Sequence, residues 1–187
     1  MVPRLRYEDL EPELRALLAE KYSRLGYLGE FFQVTAHQPA ALADFIRFTN
    51  TVGAALPVAL GEIAALVVST ALGSDYERHQ HERLALSLGF AADWIRAAEY
   101  GAMPNALDRR EQAVRRLALA IARTGGRGAG EALADAEAVL GPETVVAAVL
   151  AVARFVAHAT VVQTFQLTPP VSSPLDTAKP APSRSTI

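Results

Sequence analysis

Apolar positions recur every three to four residues in almost every segment longer than ten, and no run of β-branched and aromatic residues is bracketed by hairpin turns. The pattern predicts an all-α fold. A first helix follows "EDLEP", with Pro12 in its first turn and Leu14, Leu17 and Leu18 on one face, and fades near Gly26. A second begins near Pro39 and runs through Phe45, Ile46 and Phe48 towards Leu56. Pro57 separates it from a third, Val58 to Leu72, which Gly73 ends. The fourth starts with Ser74 or Asp75 as its N-cap and stops at Gly89, and a short fifth spans Ala92 to Glu99. Asp108, followed three residues later by Glu111, forms a capping-box pattern that opens a helix to about Thr124. "GGRGAG" reads as a linker, because no apolar strand precedes it and no Lys-Ser/Thr follows to make it a phosphate loop. "ALADAEAVLG" gives another short helix. Pro142 then opens a long one, to about Phe165, that is apolar nearly all round and must be central or packed against another subunit.

Residues 1–167 form one domain in this reading. The remainder, "TPPVSSPLDTAKPAPSRSTI", has five prolines and few large apolar residues. Such a segment buries too little surface to offset its ordering entropy, so residues 168–187 are expected to form a mobile tail or one that lies on a neighbour.

Composition narrows the function. Apolar residues make up 51% of the 187 against 20% charged, a globular balance for one domain or one subunit of an oligomer. A net charge of −2, with no basic cluster interleaved with aromatics, argues against nucleic acid as a partner. The chain has no cysteine, which excludes disulfides, thiolate metal ligands and any thiol redox cycle within it. The N-terminal "MVPRLRYEDL" lacks the apolar core of a secretory signal, so a cytoplasmic setting is expected. Two segments have membrane-like length, but the first carries Pro57 and Glu62 and the second Arg154 and His158 near its middle. Both are read as buried helices, with no membrane partner.

The fourth helix carries the candidate chemistry. With Glu77 set at zero and 100° per residue, His81 falls at about 40°, Leu84 at about −20°, Leu88 at about 20° and Ser74 at about 60°. Glu77, His81 and Ser74 thus share the stripe of the leucines. His79, Asp75 and Glu82 fall on the opposite side at about 200°, 160° and 140°, and His79 is read as solvated. "HQH" is no metal site, because histidines two apart on a helix diverge. Glu62, on a face of the third helix with Val58, Ala65, Leu66 and Ser69, meets His81 if the two helices fold back about Gly73 as an antiparallel pair. Desolvation would then raise the carboxyl pKa while its charge favours the imidazolium, a pairing suited to proton transfer near neutral pH.

The same residues also admit a structural reading. Glu77 and His81 would be an i, i+4 pair at a subunit contact, and Glu62 would be satisfied by Arg154. Arg154 and His158, four apart, are read as core or interface partners, Tyr76 as a rim residue, and Trp94, Phe31 and Phe32 as packing groups.

The stretch "ALGEIAALVVSTALGSDYERHQHERLALSLGF" resembles the carboxymuconolactone decarboxylase and alkylhydroperoxidase D superfamily. The peroxidase branch spaces Glu, eleven residues, Cys, two, Cys, three, His; Glu62, Ser74, Glu77 and His81 fall on those positions, with both cysteines replaced. The decarboxylase branch resembles Tyr-Glu-Trp, two residues, His, three, Ala; Tyr76, Glu77, Arg78, His81 and Ala85 follow it, with Arg78 in place of Trp. The resemblance implies an alkylhydroperoxidase D-like helical bundle, assembled as a trimer or hexamer, with a pocket near a subunit boundary. Without cysteine the thiol peroxidase chemistry is closed to it. The implied activity is a decarboxylase, or related lyase or isomerase, that needs no cofactor or metal and acts on a small carboxylated lactone or oxo acid. In it His81 donates the proton, Glu62 orients it and Glu77 relays; Arg78, Tyr76 and Ser74 bind substrate. The contrasting expectation is a non-catalytic oligomeric scaffold with a degenerate site, distinguished by whether Glu62 and His81 converge on an open cavity or are sealed together.

Overall fold

The computed structural model describes residues 2–101 and 104–176, and every regular element among them is helical. In chain order these are α1 (Pro12–Leu25), α2 (Glu30–Thr35), α3 (Pro39–Ala54), α4 (Val58–Ala71), α5 (Asp75–Ser87), α6 (Ala92–Tyr100), α7 (Arg109–Thr124), α8 (Gly130–Leu140) and α9 (Pro142–Thr164). The all-α reading holds among the described residues. Short α2 is an addition: six residues with adjacent Phe31 and Phe32 are too few to show a helical period.

Helix α4 is the axis of the larger core. Ile63, Ala64, Ala65, Leu66, Val67 and Val68 are all buried, and α5, α6, α7 and α9 pack around them. Only small and aliphatic side chains around the whole circumference permit a helix to be enclosed on every side. Asp108 accepts from the Glu111 N–H at 2.8 Å while the Glu111 carboxylate accepts from the Asp108 N–H at 2.7 Å, the expected capping box. The other Glu111 oxygen receives the Trp94 indole N–H at 3.1 Å and ties α7 to α6.

A second, smaller core gathers Leu10, Leu14 and Leu18 with Phe31, Leu42, Ile46, Tyr76, Val162 and Leu167. Helix α9 spans both cores. It is long and apolar enough to cross a bilayer by length and composition, and half of its most apolar stretch is buried within the bundle.

The C-terminal segment departs from expectation. Residues 168–176 are not a free tail: they lie across α5, where Ser173 is buried and Leu175 packs against the main core. Residues 177–187 of the expected mobile tail lie outside the described residues.

Candidate active site

A tight reversal decides what α4 and α5 can bring together. Gly73, at φ 66°, lets the Ser74 N–H reach the Ser69 carbonyl at 2.8 Å and its own N–H reach Thr70 at 3.2 Å. These two bonds are a Schellman closure, which favours glycine at its left-handed position. The chain folds back, and His81 Nδ1 comes to 2.9 Å from Glu62 Oε2. The predicted meeting of these two helices is therefore observed.

One turn earlier on α5, Glu77 is buried among cations. Arg154 Nη1 donates to its Oε2 at 3.4 Å, and His158 Nδ1 stands 3.4 Å from Oε1 without making a hydrogen bond. Arg154 lies over the Phe155 ring at 3.6 Å, and His158 stacks on Phe31 with centroids 3.8 Å apart. The Phe155 face thus holds the Arg154 guanidinium where water cannot solvate it fully.

The charges order the proton affinities. For His81, burial favours the neutral ring, but the charge and hydrogen bond of Glu62, aided by Glu77, outweigh it and raise the pKa above the ordinary value. Burial works to raise Glu77, yet His158, His81, Arg154 and Lys21 together hold it below the carboxylate norm. His158 is lowered to about 4, chiefly by burial, and stays neutral near pH 7. Burial also lowers Arg154 and the Lys21 ammonium, and each repels the other. Lys21 is exposed as a whole residue; its amine lies 4.8 Å from the Phe32 ring centre.

These groups line a cavity of about 800 Å³ between the two cores, walled by Phe31, Phe32, Phe45 and Tyr76. It is open and large enough for a small organic ligand. A smaller hollow of about 190 Å³, lined by Val52, Leu56 and Phe155, also touches Glu62, His81 and Arg154. Nδ1 of His81 is committed to Glu62; its Nε2 has no hydrogen-bond partner among the described residues.

Of the six residues predicted for the site, Glu62, Glu77, His81 and Tyr76 line the cavity, and Ser74 and Arg78 do not. Tyr76 is buried rather than at the rim. Its hydroxyl accepts the Phe31 N–H at 3.2 Å, and burial pushes its pKa up to about 12. Ser74 is the N-cap of α5, but its hydroxyl makes no capping bond and has no partner. Arg78 turns away to Asp75 at 2.9 Å and Glu82 at 2.7 Å, whereas Arg154 and Lys21 line the cavity.

The far side of α5 is likewise corrected. Glu82 is wholly buried and His79 is covered, its Nδ1–H donating to the Val171 carbonyl at 3.1 Å. Leu84 and Leu88, assigned to the core stripe, are 37% and 47% exposed. The leucines misplace the core because α5 presents that stripe to the cavity mouth and solvent, while α6 and the C-terminal segment bury the polar side. Arg154 and His158, read as core or interface partners, also line the cavity, and two ionisable groups four apart in an apolar helix are the signal that points there. Lys21 carried no signal.

Residues 39–120 match the model of the carboxymuconolactone decarboxylase family. No curated protein matches the chain. Among solved structures, a substituted form of the debrominase Bmp8 in complex with 2,3,4-tribromopyrrole is 16% identical, with a TM-score of 0.79 over 90% of this chain and 91% of that one. The apo form of Bmp8 matches equally, at TM-score 0.79 and 16% identity over the same shares, 90% and 91%. A protein of unknown function from Agrobacterium tumefaciens, ascribed to AhpD antioxidant defence, is 18% identical, with a TM-score of 0.68 over 74% of this chain and 96% of that one. At these identities the neighbours show the fold alone.

Proposed function

From the premise that the chain is carboxymuconolactone decarboxylase-like over residues 39–120, we propose that it is a cofactor-free acid–base enzyme. Its substrate is a small carboxylated lactone or oxo acid, decarboxylated or rearranged in the α4–α5–α9 cavity. The observation that carries this reading is the Glu62–His81 contact of 2.9 Å on the wall of an open cavity. A scaffold with a decayed site would have these groups sealed against each other.

The geometry suits loss of CO2 from a carbon conjugated to a carbonyl. The C–C bond to the carboxylate breaks, and its electron pair passes through the conjugated system to the carbonyl oxygen. CO2 leaves. The His81 imidazolium, kept charged by Glu62, then delivers its Nε2 proton to carbon and is reprotonated from solvent. Arg154 and Lys21 face the developing enolate oxygen with positive charge in a site of restricted water, where such stabilisation is strongest. Glu77 holds Arg154 and relays protons. A homo-oligomer, trimer or hexamer, and a cytoplasmic setting belong to the same proposal.

The test is His81→Gln, assayed with wild-type protein on a panel of carboxylated lactones and oxo acids. Loss of general-acid catalysis should reduce turnover by about 10²–10⁴. Unchanged turnover removes His81 from the mechanism, and a wild-type protein inactive on the whole panel supports the scaffold reading.

A further inference from the structure

Composition predicts that the segment after α9 is mobile or lies on a neighbour, and gives no reason for it to settle on α5. Its contacts do. Leu167 is anchored in the smaller core, and from there the chain crosses α5 as a strap. His79 donates to the Val171 carbonyl at 3.1 Å, and Arg83 Nε donates to the Ser172 carbonyl at 3.1 Å. Ser173 Oγ accepts the N–H groups of Leu175 and Asp176 at 3.0 and 3.2 Å, which leaves its single proton for the buried carboxylate of Glu82. Leu175 then returns to the main core.

Between the anchors the strap is thinly held. Thr168, Pro170 and Ser172 are exposed, and Pro169 and Val171 only partly covered. Proline cannot donate a backbone bond, so Pro169 and Pro170 cannot tie this stretch to a neighbour through their nitrogens. Yet Val171 is part of the cavity wall, beside Gln80 and Arg83 of α5. A wall secured at two ends and weakly along its length opens locally at lower free energy than the bundle unfolds.

We propose that residues 168–176 are a gate on the cavity, with Val171 as its inner face and the Ser173–Glu82 hydrogen bond as its latch. Closed, the strap completes the wall and excludes water; open, it widens the mouth beside Gln80. Rest and release differ by the latch, the two bonds from His79 and Arg83, and the packing of Leu175. The inference rests on the proposed function only in treating this cavity as the substrate site, and its test needs no turnover.

The cysteine-free chain allows single thiols to report accessibility. His79→Cys places one beneath the strap, Gln80→Cys one on the cavity wall, and Glu131→Cys one on exposed α8 as a control. Each is labelled with N-ethylmaleimide, alone and combined with Ser173→Ala. Losing a hydrogen bond to a buried charge should speed labelling at positions 79 and 80 by about tenfold or more and leave position 131 unchanged. Unchanged rates at 79 and 80 refute the latch. Faster labelling at 79 alone describes a strap that lifts without opening the cavity, and an equal rise at all three describes general unfolding; either overturns the gate. Should the thiol variants fail to fold, hydrogen exchange of the unmodified chain decides. The Leu175 and Asp176 amides should exchange at least tenfold faster than those of α4. Exchange of both at one common rate overturns the proposal.

Discussion

Helix α5 buries acids on two faces, and the faces solve the same electrostatic problem differently. Towards the cavity, Glu62 and Glu77 are met by His81, Arg154, His158 and Lys21, and the ensemble borders open space. Towards the strap, Arg78 pairs with Glu82, Arg78 and Arg96 act on Glu99, and the remaining compensation is a proton. The Glu99 carboxyl hydrogen-bonds Glu82, and burial first, then that bond and the Glu82 charge, push its pKa up to about 8. Charge pairing leaves ionised groups available for chemistry. Shared protonation neutralises, which serves a closed joint.

The sharpest way to break this contrast is to remove a cation on the cavity side. Arg154→Met takes from buried Glu77 the guanidinium that donates to it, leaving His81 and Lys21 as its remaining positive neighbours, and should destabilise the protein by about 3–5 kcal/mol in denaturant unfolding. Adding Glu77→Gln should restore much of that loss. A double variant as unstable as the single one would show that Arg154 matters through packing alone.

On the strap side the corresponding lever is pH. The folded state binds the Glu99 proton more tightly than the unfolded chain, which releases it near 4.5. Stability from this proton is complete below that pH, erodes as pH rises, and is gone above about 8. The groups facing it are Glu82, Arg78, Arg96 and Tyr100, and only Arg78 and Arg96 oppose the rise. Glu99→Gln should cancel the erosion, so that its advantage over wild type grows between about pH 5 and pH 9 by on the order of 2 kcal/mol. His81, whose raised pKa gives a loss of the same sign, is common to both proteins and drops out of the difference. Parallel stability curves over that range would sink the shared-proton account.

The two faces were unequally visible in the sequence. Gly73, the Asp108–Glu111 box and the Glu62–His81 encounter rest on local rules: a left-handed turn, a cap, and two antiparallel helices of known pitch. Such rules act within about twenty residues. The strap side depends on Ser173 and Val171, roughly ninety residues from the helix they cover. Nothing in a Pro/Ser-rich tail announces burial, so Glu82 and His79 read as solvated. The leucine stripe misled for a related reason: helical phase gives relative directions, and which direction is inward depends on distant elements. Arg154 and His158 belong to the same class, since only the docking of α9 against Glu77 turns two isolated charges into part of a site.

A smaller effect sharpens the division of labour within the cavity. Glu62→Gln keeps the shape and an acceptor for the His81 N–H while removing the charge that does most to raise its pKa. The imidazole should titrate at lower pH by NMR, and the alkaline limb of any turnover profile, where the imidazolium is lost, should move down with it, costing about tenfold near neutral pH. A His81 titration unmoved by this change would assign its protonation to Glu77 instead.

The smallest effect tests whether burial, rather than the number of ion pairs, is what matters on the strap face. Arg78 bonds both Asp75 and Glu82 at similar distance, 2.9 and 2.7 Å. Asp75 is 58% exposed and Glu82 fully enclosed. Water can replace Arg78 at Asp75 almost without loss, whereas at Glu82 no water can enter. Asp75→Asn should therefore change stability by less than about 0.5 kcal/mol, the usual worth of an exposed pair. Glu82→Gln should cost several times more, because it leaves the Arg78 charge without its enclosed partner and weakens the latch to Ser173. Equal losses from the two substitutions would mean that Arg78 is held by charge count alone, and the distinction drawn between the enclosed and the solvated end of its network would fall.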